Sequence, residues 1–244
     1  MSISKIEWTE VTWNPTTGCS KVSEGCAHCY AEVMAHRLQA MGAPGYDNGF
    51  ELQLMPDRLM QPVKRTKPTR YFVNSMSDLF HEEIPDSYIE QVFDIIAQTP
   101  RHSYQILTKR ERRMAEYFKT HVIPSNVWMG VTVENAKHGV PRIDYLRQIN
   151  AQIRFISIEP LLEDLGELDL TGIHWVIVGG ESGAKARPMD EKWVLPIKKQ
   201  CDQQGSAFFF KQWGTWGQDN IKRTKKANGR LLLGRTWDAY PKVV

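Results

Sequence analysis

The chain has 244 residues, of which 41% are apolar and 24% charged, and a formal net charge of +3. That length suits one large domain or two small ones with a core that needs no disulfides, and the composition excludes wholesale disorder and a collagen-like chain. No apolar run approaches the ~18 residues of a membrane span, and the opening MSISKIEWTE has no basic stretch followed by an apolar one, so a cytoplasmic protein with neither membrane partner nor secretory leader is expected.

Short apolar runs alternate with helix-like segments along the chain, and no internal repeat interrupts them. The run VTW at 11–13 is followed by a cysteine-bearing loop and a helix over 27–41. Residues 42–69 are punctuated by Gly and Pro and read as an insertion. Strands are then expected at 70–75, 103–108, 126–132, 153–158, 174–180 and 206–211, with helices over 85–98, 109–119, 135–149 and 190–204. Pro85 and Asp86 start one helix and Gly205 ends another. Alternation of this kind implies an α/β fold with parallel strands, a complete or partial (β/α) barrel occupying residues 1–211. Residues 212–244 lack a period and are expected to pack on the barrel as an extension.

Barrels of this type place their active sites at the C-terminal ends of the strands. Those ends carry Asn74, Ser75, Ser77 and Asp78; Thr108, Lys109 and Arg110; Thr132, Glu134 and Asn135; Ser157 and Glu159; Gly180, Glu181 and Ser182; and Lys211, Gln212 and Trp213.

Cys19, Cys26 and Cys29 fall within TWNPTTGCSKVSEGCAHCYAEVMAHRL at the spacing C-x6-C-x2-C, while Cys201 stands alone. A tight trio in an intracellular chain points to metal ligation rather than to a disulfide framework. Cys26 and Cys29 sit near a helix start, where thiolates gain from unpaired N–H groups and the positive end of the helix dipole. Such a site favours zinc, copper(I) or an iron–sulfur cluster. A structural zinc ion needs a fourth ligand, for which His28 and His36 are both awkwardly placed. A four-iron cluster on three thiolates leaves one iron open to a small molecule, as catalysis requires, and the residues favour this reading over zinc and over three inert buried thiols.

A three-cysteine loop after the first strand of a (β/α) barrel resembles the radical S-adenosylmethionine enzymes. From about residue 8 to 238 the chain is more closely similar to a phage- and bacteria-associated family of three-cysteine proteins of unsettled function. The stretches that carry this are TWNPTTGCSKVSEGCAHCYAE, VNSMSDLFH, ILTKR, NVWMGVTVEN, RFISIEPLL, WVIVGGESG, FFFKQWG and GRTWD. The resemblance implies a partial (β/α) barrel of the radical S-adenosylmethionine type, in which Cys19, Cys26 and Cys29 each bind one iron of a [4Fe-4S] cluster. It implies that S-adenosylmethionine chelates the fourth iron. An electron from a reductant protein such as flavodoxin or ferredoxin would cleave it to methionine and a 5′-deoxyadenosyl radical, which abstracts hydrogen from substrate. Most such enzymes have C-x3-C-x2-C, so the loop here is three residues longer, and the often aromatic residue before the last cysteine is His28, with Tyr30 just after. Closure cost changes slowly with loop length, so a cluster can still form, while the seat of S-adenosylmethionine is affected.

Ser75, Ser77 and Asp78 stand where that superfamily places a Gly-Gly-Glu-like segment that holds the methionine amino group; a helix cap explains them equally. Thr132, Glu134 and Asn135 suit ribose hydroxyls or a cap. Ser157 and Glu159 lie at a strand end, Glu159 held extended by the following proline, to bind a hydroxyl or cation or to pair with a neighbouring cation. These eight are the cofactor-binding candidates. Glu159, Glu181, Lys109 and His81 are the catalytic candidates, against readings as an ion pair, a tight turn, a solvated helix face and a structural histidine. Glu181 follows two glycines that permit close backbone approach to a ligand.

Charge is concentrated at the end: residues 206–244 hold eight Lys or Arg against two Asp or Glu, residues 1–60 four against seven, and residues 61–205 nineteen of each. Trp213, Trp216 and Trp237 are interleaved with those cations, a pattern suited to a nucleic acid, although tryptophans that pack the tail onto the barrel are the more frequent cause. The expected function is radical-initiated hydrogen abstraction, with a nucleobase or nucleic acid as substrate, in modification or lesion repair. Its rivals are a zinc-containing nucleic-acid-binding module without turnover and an iron–sulfur electron carrier or sensor. No phosphate-loop or paired-histidine metal motif offers another enzyme class.

Overall fold

The computed structural model describes residues 4 and 6–242. In chain order the strands are β1 (Val11–Trp13), β2 (Thr16–Thr17), β3 (Gln53–Leu54), β4 (Arg70–Val73), β5 (Ser103–Thr108), β6 (Val127–Thr132), β7 (Ile153–Ile158), β8 (Trp175–Gly179) and β9 (Ala207–Gln212). The helices are α1 (Tyr30–Ala40), α2 (Asp86–Ala97), α3 (Glu111–Tyr117), α4 (Arg142–Arg147), α5 (Glu191–Gln204) and α6 (Lys225–Asn228). One sheet has the order β1-β4-β5-β6-β7-β8-β9, and β2 and β3 form a separate antiparallel pair. Strand order therefore follows chain order, as in a (β/α) barrel and unlike a doubly wound sheet. Among the described residues no helix is long and apolar enough to cross a membrane.

The chain divides into two compact units, the first comprising residues 1–22, 29–130 and 148–152 and the second residues 23–28, 131–147 and 153–244. In the first unit β1, β4 and β5 run parallel, with Val11 opposite Tyr71 and Tyr71 opposite Tyr104. The Tyr71 and Tyr104 rings stack at 5.3 Å, and the Tyr104 hydroxyl is 2.6 Å from Thr99 Oγ1. Helix α2 buries Tyr88, Ile89, Val92, Phe93, Ile95 and Ile96, the stripe its helical period dictates. Within the Gly- and Pro-punctuated stretch, β3 pairs with β2 and a single 3-10 turn spans Pro56–Arg58. The buried Trp13 indole donates to the Arg58 carbonyl at 2.8 Å, which ties this stretch to the end of β1.

In the second unit Phe155, Trp175 and Ala207 lie opposite one another on β7, β8 and β9. Asp190 caps α5 by accepting from Lys192 N at 2.9 Å, and Gly205, at φ 75°, ends it as expected. Cys201 is buried on α5, where burial pushes its thiol up to about 12 and keeps it protonated. The tail lies along β9: Phe210 N donates to Trp237 O at 2.9 Å, and Phe209 bridges Asp238 in antiparallel fashion. Helix α4 is shorter than the expected 135–149. Asn135 Oδ1 accepts from His138 N at 2.9 Å and Gly139 N at 3.3 Å, which makes a turn, and Pro141 then stands immediately before the helix.

The glycines of GGES are closely approached by the chain itself. A Cβ on Gly180 would lie 1.9 Å from the Trp213 carbonyl oxygen, and one on Gly179 2.5 Å from Glu159 Oε1. The chain itself occupies the space. Gly180→Ala is therefore expected to force β8 and β9 apart and to cost about 3 kcal/mol or more. Denaturant unfolding measures this, and an unchanged midpoint would contradict the close approach.

Candidate functional site

Cys19, Cys26 and Cys29 are half-buried and free of disulfides. Among the described residues no group of three or more His, Cys, Asp or Glu side chains is gathered to hold a metal ion. The donor set nevertheless fits a soft metal group, since three reduced thiols with partial exposure are what such a group recruits. Cys29 is the residue before α1 and packs against Ala31, Ala35, Tyr46 and Met76. Cys26 ends a 3-10 turn, with its Sγ 4.0 Å from Ser23 Oγ.

In the first unit the organising group is Asp78. Its Oδ1 accepts from Thr108 Oγ1 at 2.7 Å and Phe80 N at 3.0 Å, and its Oδ2 from Lys109 N at 3.0 Å and Arg110 Nη1 at 3.1 Å. Arg110, itself buried, also donates to Glu82, to Ser20 Oγ at 2.9 Å and to Cys19 Sγ at 3.4 Å. Burial works against its charge, but Asp78, Cys19 and Glu82 outweigh that and hold its pKa above the ordinary value. His81 is fixed too. Its Nδ1 accepts from Glu83 N at 3.2 Å, so the ring proton sits on Nε2 and donates to Ser20 Oγ at 2.9 Å. Burial, then Arg110, lowers its pKa and favours the neutral ring.

Ser75 donates to Asn14 Oδ1 at 3.1 Å, Ser77 donates to the Thr16 carbonyl at 2.9 Å, and the Tyr30 hydroxyl donates to the Ser75 carbonyl. These serines thus hold the β1 exit against the β4 exit. Among the described residues the Lys109 ammonium makes no hydrogen bond or ion pair, which leaves it open to an anion. Arg113 on α3 donates to the carbonyls of His81 and Ile84 and to Asp86 at 2.7 Å.

In the second unit the strand-end carboxylates hold the segment Ser23–His28. Glu134 is fully buried, paired with Arg142 at 2.5 Å, and accepts from Ser23 Oγ. Gly25 lies directly on it: a Cβ there would come within 3.0 Å of Glu134 Cγ. Asn135 Nδ2 donates to Glu24 Oε2 at 3.0 Å, and the Thr132 carbonyl accepts from Arg142 at 2.7 Å. Glu181 accepts from Arg187 through the backbone N–H at 2.8 Å and the guanidinium at 2.6 and 2.9 Å, and lies 3.3 Å from His28 Nδ1. Arg187 also reaches the Glu24 carbonyl at 3.0 Å. Burial alone would raise the Glu181 pKa, but these donors outweigh it and hold it below the ordinary value.

A third group gathers at the ends of β7 and β9. Ser157 Oγ donates to Glu159 Oε2 at 3.1 Å, and Lys211 Nζ lies 3.1 Å from Glu159 Oε1. That oxygen is buried with the Lys211 ammonium as its partner, and a second lone pair is left over. Arg142, Arg187, Ser20, Ser23 and Asn14 are not legible in the sequence as site residues. Arg142 and Arg187 follow their carboxylates by eight and six residues across turns, a separation with no helical or strand period to signal it.

A family described as a protein of unknown function (DUF5131) matches residues 3–241, and the chain belongs to it. No curated protein matches. Among solved structures, several of spore photoproduct lyase do. A cysteine-to-alanine mutant of that enzyme is similar with a TM-score of 0.55 at 12% identity, over 88% of this chain and 79% of that one. A tyrosine-to-phenylalanine mutant gives 0.53 at 11% identity, over 87% and 78%. The lyase complexed with dinucleoside spore photoproduct gives 0.51 at 13% identity; 83% of this chain is covered, and the match spans only 64% of that lyase's length. At such identities the likeness shows the fold alone, the α/β partial-barrel type expected from the strand and helix pattern.

The Glu181 clamp has a pH signature. A folded carboxyl held below its ordinary value of 4.5 contributes stability that is present above that pH and is lost as pH falls through the folded pKa. Glu181→Gln should lower stability at pH 7 by about 1–2 kcal/mol, with the difference from wild type shrinking toward zero below pH ~4. Denaturant midpoints over roughly pH 3–8 test it, and a pH-independent difference would refute the clamp.

Proposed function

We propose that this member of the family is a cytoplasmic radical S-adenosylmethionine enzyme that acts on a nucleobase or nucleic acid, in modification or lesion repair. The observation that carries this reading is the fold likeness to spore photoproduct lyases in a chain whose first strand leads into three cysteines outside any disulfide. Cys19, Cys26 and Cys29 would hold a [4Fe-4S] cluster, which with S-adenosylmethionine on its open iron supplies a 5′-deoxyadenosyl radical for hydrogen abstraction. A flavodoxin- or ferredoxin-like protein would supply the electron.

The chain's own residues have separable tasks under this reading. Arg110, locked by Asp78, aims a charged N–H at Cys19 Sγ and so favours the thiolate. Glu134 and Glu181 keep the segment bearing Cys26 in place through Ser23 and His28. Lys109 is the cation available for a carboxylate or phosphate. Glu159, paired with Lys211 and bonded by Ser157, is the carboxylate best suited to accept a further hydrogen bond from a ribose or substrate hydroxyl. His81 as an Nε2 donor to Ser20 serves position rather than proton transfer.

Anaerobic reconstitution tests the reading. Wild type and Cys201→Ala should take up about four iron and four sulfide per chain, and Cys29→Ala less than about one. Under reduction, S-adenosylmethionine should yield 5′-deoxyadenosine with the first two only. Zinc without iron would overturn the proposal in favour of a binding module, and a cluster that leaves S-adenosylmethionine intact would favour an electron carrier or sensor.

A further inference from the structure

The tail presents an apolar tip. Leu232 and Arg235 exchange backbone hydrogen bonds, Leu232 N to Arg235 O at 3.0 Å and Arg235 N to Leu232 O at 3.3 Å, around Leu233 and Gly234. Both central residues are left-handed, at φ 53° and 74°. That is a two-residue hairpin turn of the kind that favours Asn-Gly, and a leucine in its first central position is strained. The strain gains no burial: Leu231 and Leu233 are 54% and 58% exposed, while Leu232 between them is fully buried. The turn is nonetheless held firmly. The Trp213 indole donates to the Leu231 carbonyl at 2.8 Å and the Trp237 indole to the Leu232 carbonyl at 2.9 Å.

The tail that carries this tip is cationic. The two acids of residues 206–244 are each taken by an arginine, Asp219 by Arg223 at 2.7 Å and Asp238 by Arg230. The charges of the exposed Lys222, Lys226 and Arg235 are left uncompensated within the tail. Arg235, in the turn itself, lies 3.6 Å from the Trp237 ring centroid. A strained, rigidly held pair of exposed leucines with flanking cations matches what wedges a base step apart while cations meet the phosphates. Two leucines on a single turn are too little apolar surface for stable membrane anchoring.

We propose that the Leu231–Arg235 turn is a duplex nucleic-acid wedge, with Leu233 entering a base step and Arg235 and Lys226 on the backbone. This deepens the nucleic-acid part of the proposed function and is independent of the cluster, so iron content and duplex binding can fail separately. The test uses the full chain and a 2-aminopurine-labelled DNA duplex, read by anisotropy and by 2-aminopurine fluorescence at two salt concentrations. Leu233→Asn suits the left-handed turn, so it should fold at least as stably as wild type. It should weaken duplex binding about tenfold and abolish the fluorescence rise while leaving the salt dependence unchanged. Lys226→Gln with Arg235→Gln should reduce the salt dependence instead. Wild-type affinity and fluorescence in Leu233→Asn would overturn the proposal, as would wild-type binding to anionic vesicles without binding to duplex.

Discussion

A buried carboxylate or guanidinium is tolerable only when its lone pairs or protons all find partners, and this chain buries several of each at the ends of its strands. Asp78 meets the condition with four donors, from Phe80, Thr108, Lys109 and Arg110, and so joins the β4 exit to the β5 exit. Arg110 can then spend its remaining protons only on Glu82, Ser20 and Cys19. The setting of the first cysteine thus depends on a carboxylate it does not touch. In the second unit Glu134 with Arg142 and Glu181 with Arg187 do the same for Ser23–His28. Residues whose chemistry suits cofactor ligands are, in this chain, the frame that carries the cysteine segments.

The strands are legible because a parallel strand covered on both faces is a largely apolar run, and β5 and β7 stand where SYQILT and IRFISI suggest. The helix before β7 is shorter than expected because the Asn135 side chain takes the His138 and Gly139 N–H groups to make a turn, and Pro141 confines the helix to the residues after it. The site is legible as a set of strand-end polar residues but not as a set of pairings. Whether Glu134 meets a ribose or Arg142 depends on how a turn folds back, and no spacing encodes that. The three tail indoles each donate to a backbone carbonyl, two within the tail, of Leu231 and Leu232, and one outside it, of Ala186.

This distinction sorts the polar residues by availability. Asp78, Glu134, Glu181 and His81 are saturated with partners from their own chain. Lys109 and the Glu159 carboxylate keep capacity to spare. Under the proposed function, ligand chemistry falls first to the latter.

The strand bearing AFFFKQ would be an outer edge of its sheet if the tail did not lie along it. Unpaired backbone groups on a run with three consecutive phenylalanines are an invitation to pair with another chain. The hydrogen bonds from Phe210 to Trp237 and from Ala239 to Phe208 occupy those groups. The last residues of the described chain thus act as a guard against edge-to-edge aggregation. Any shortening of this end would be felt as lost solubility before it was felt as lost activity.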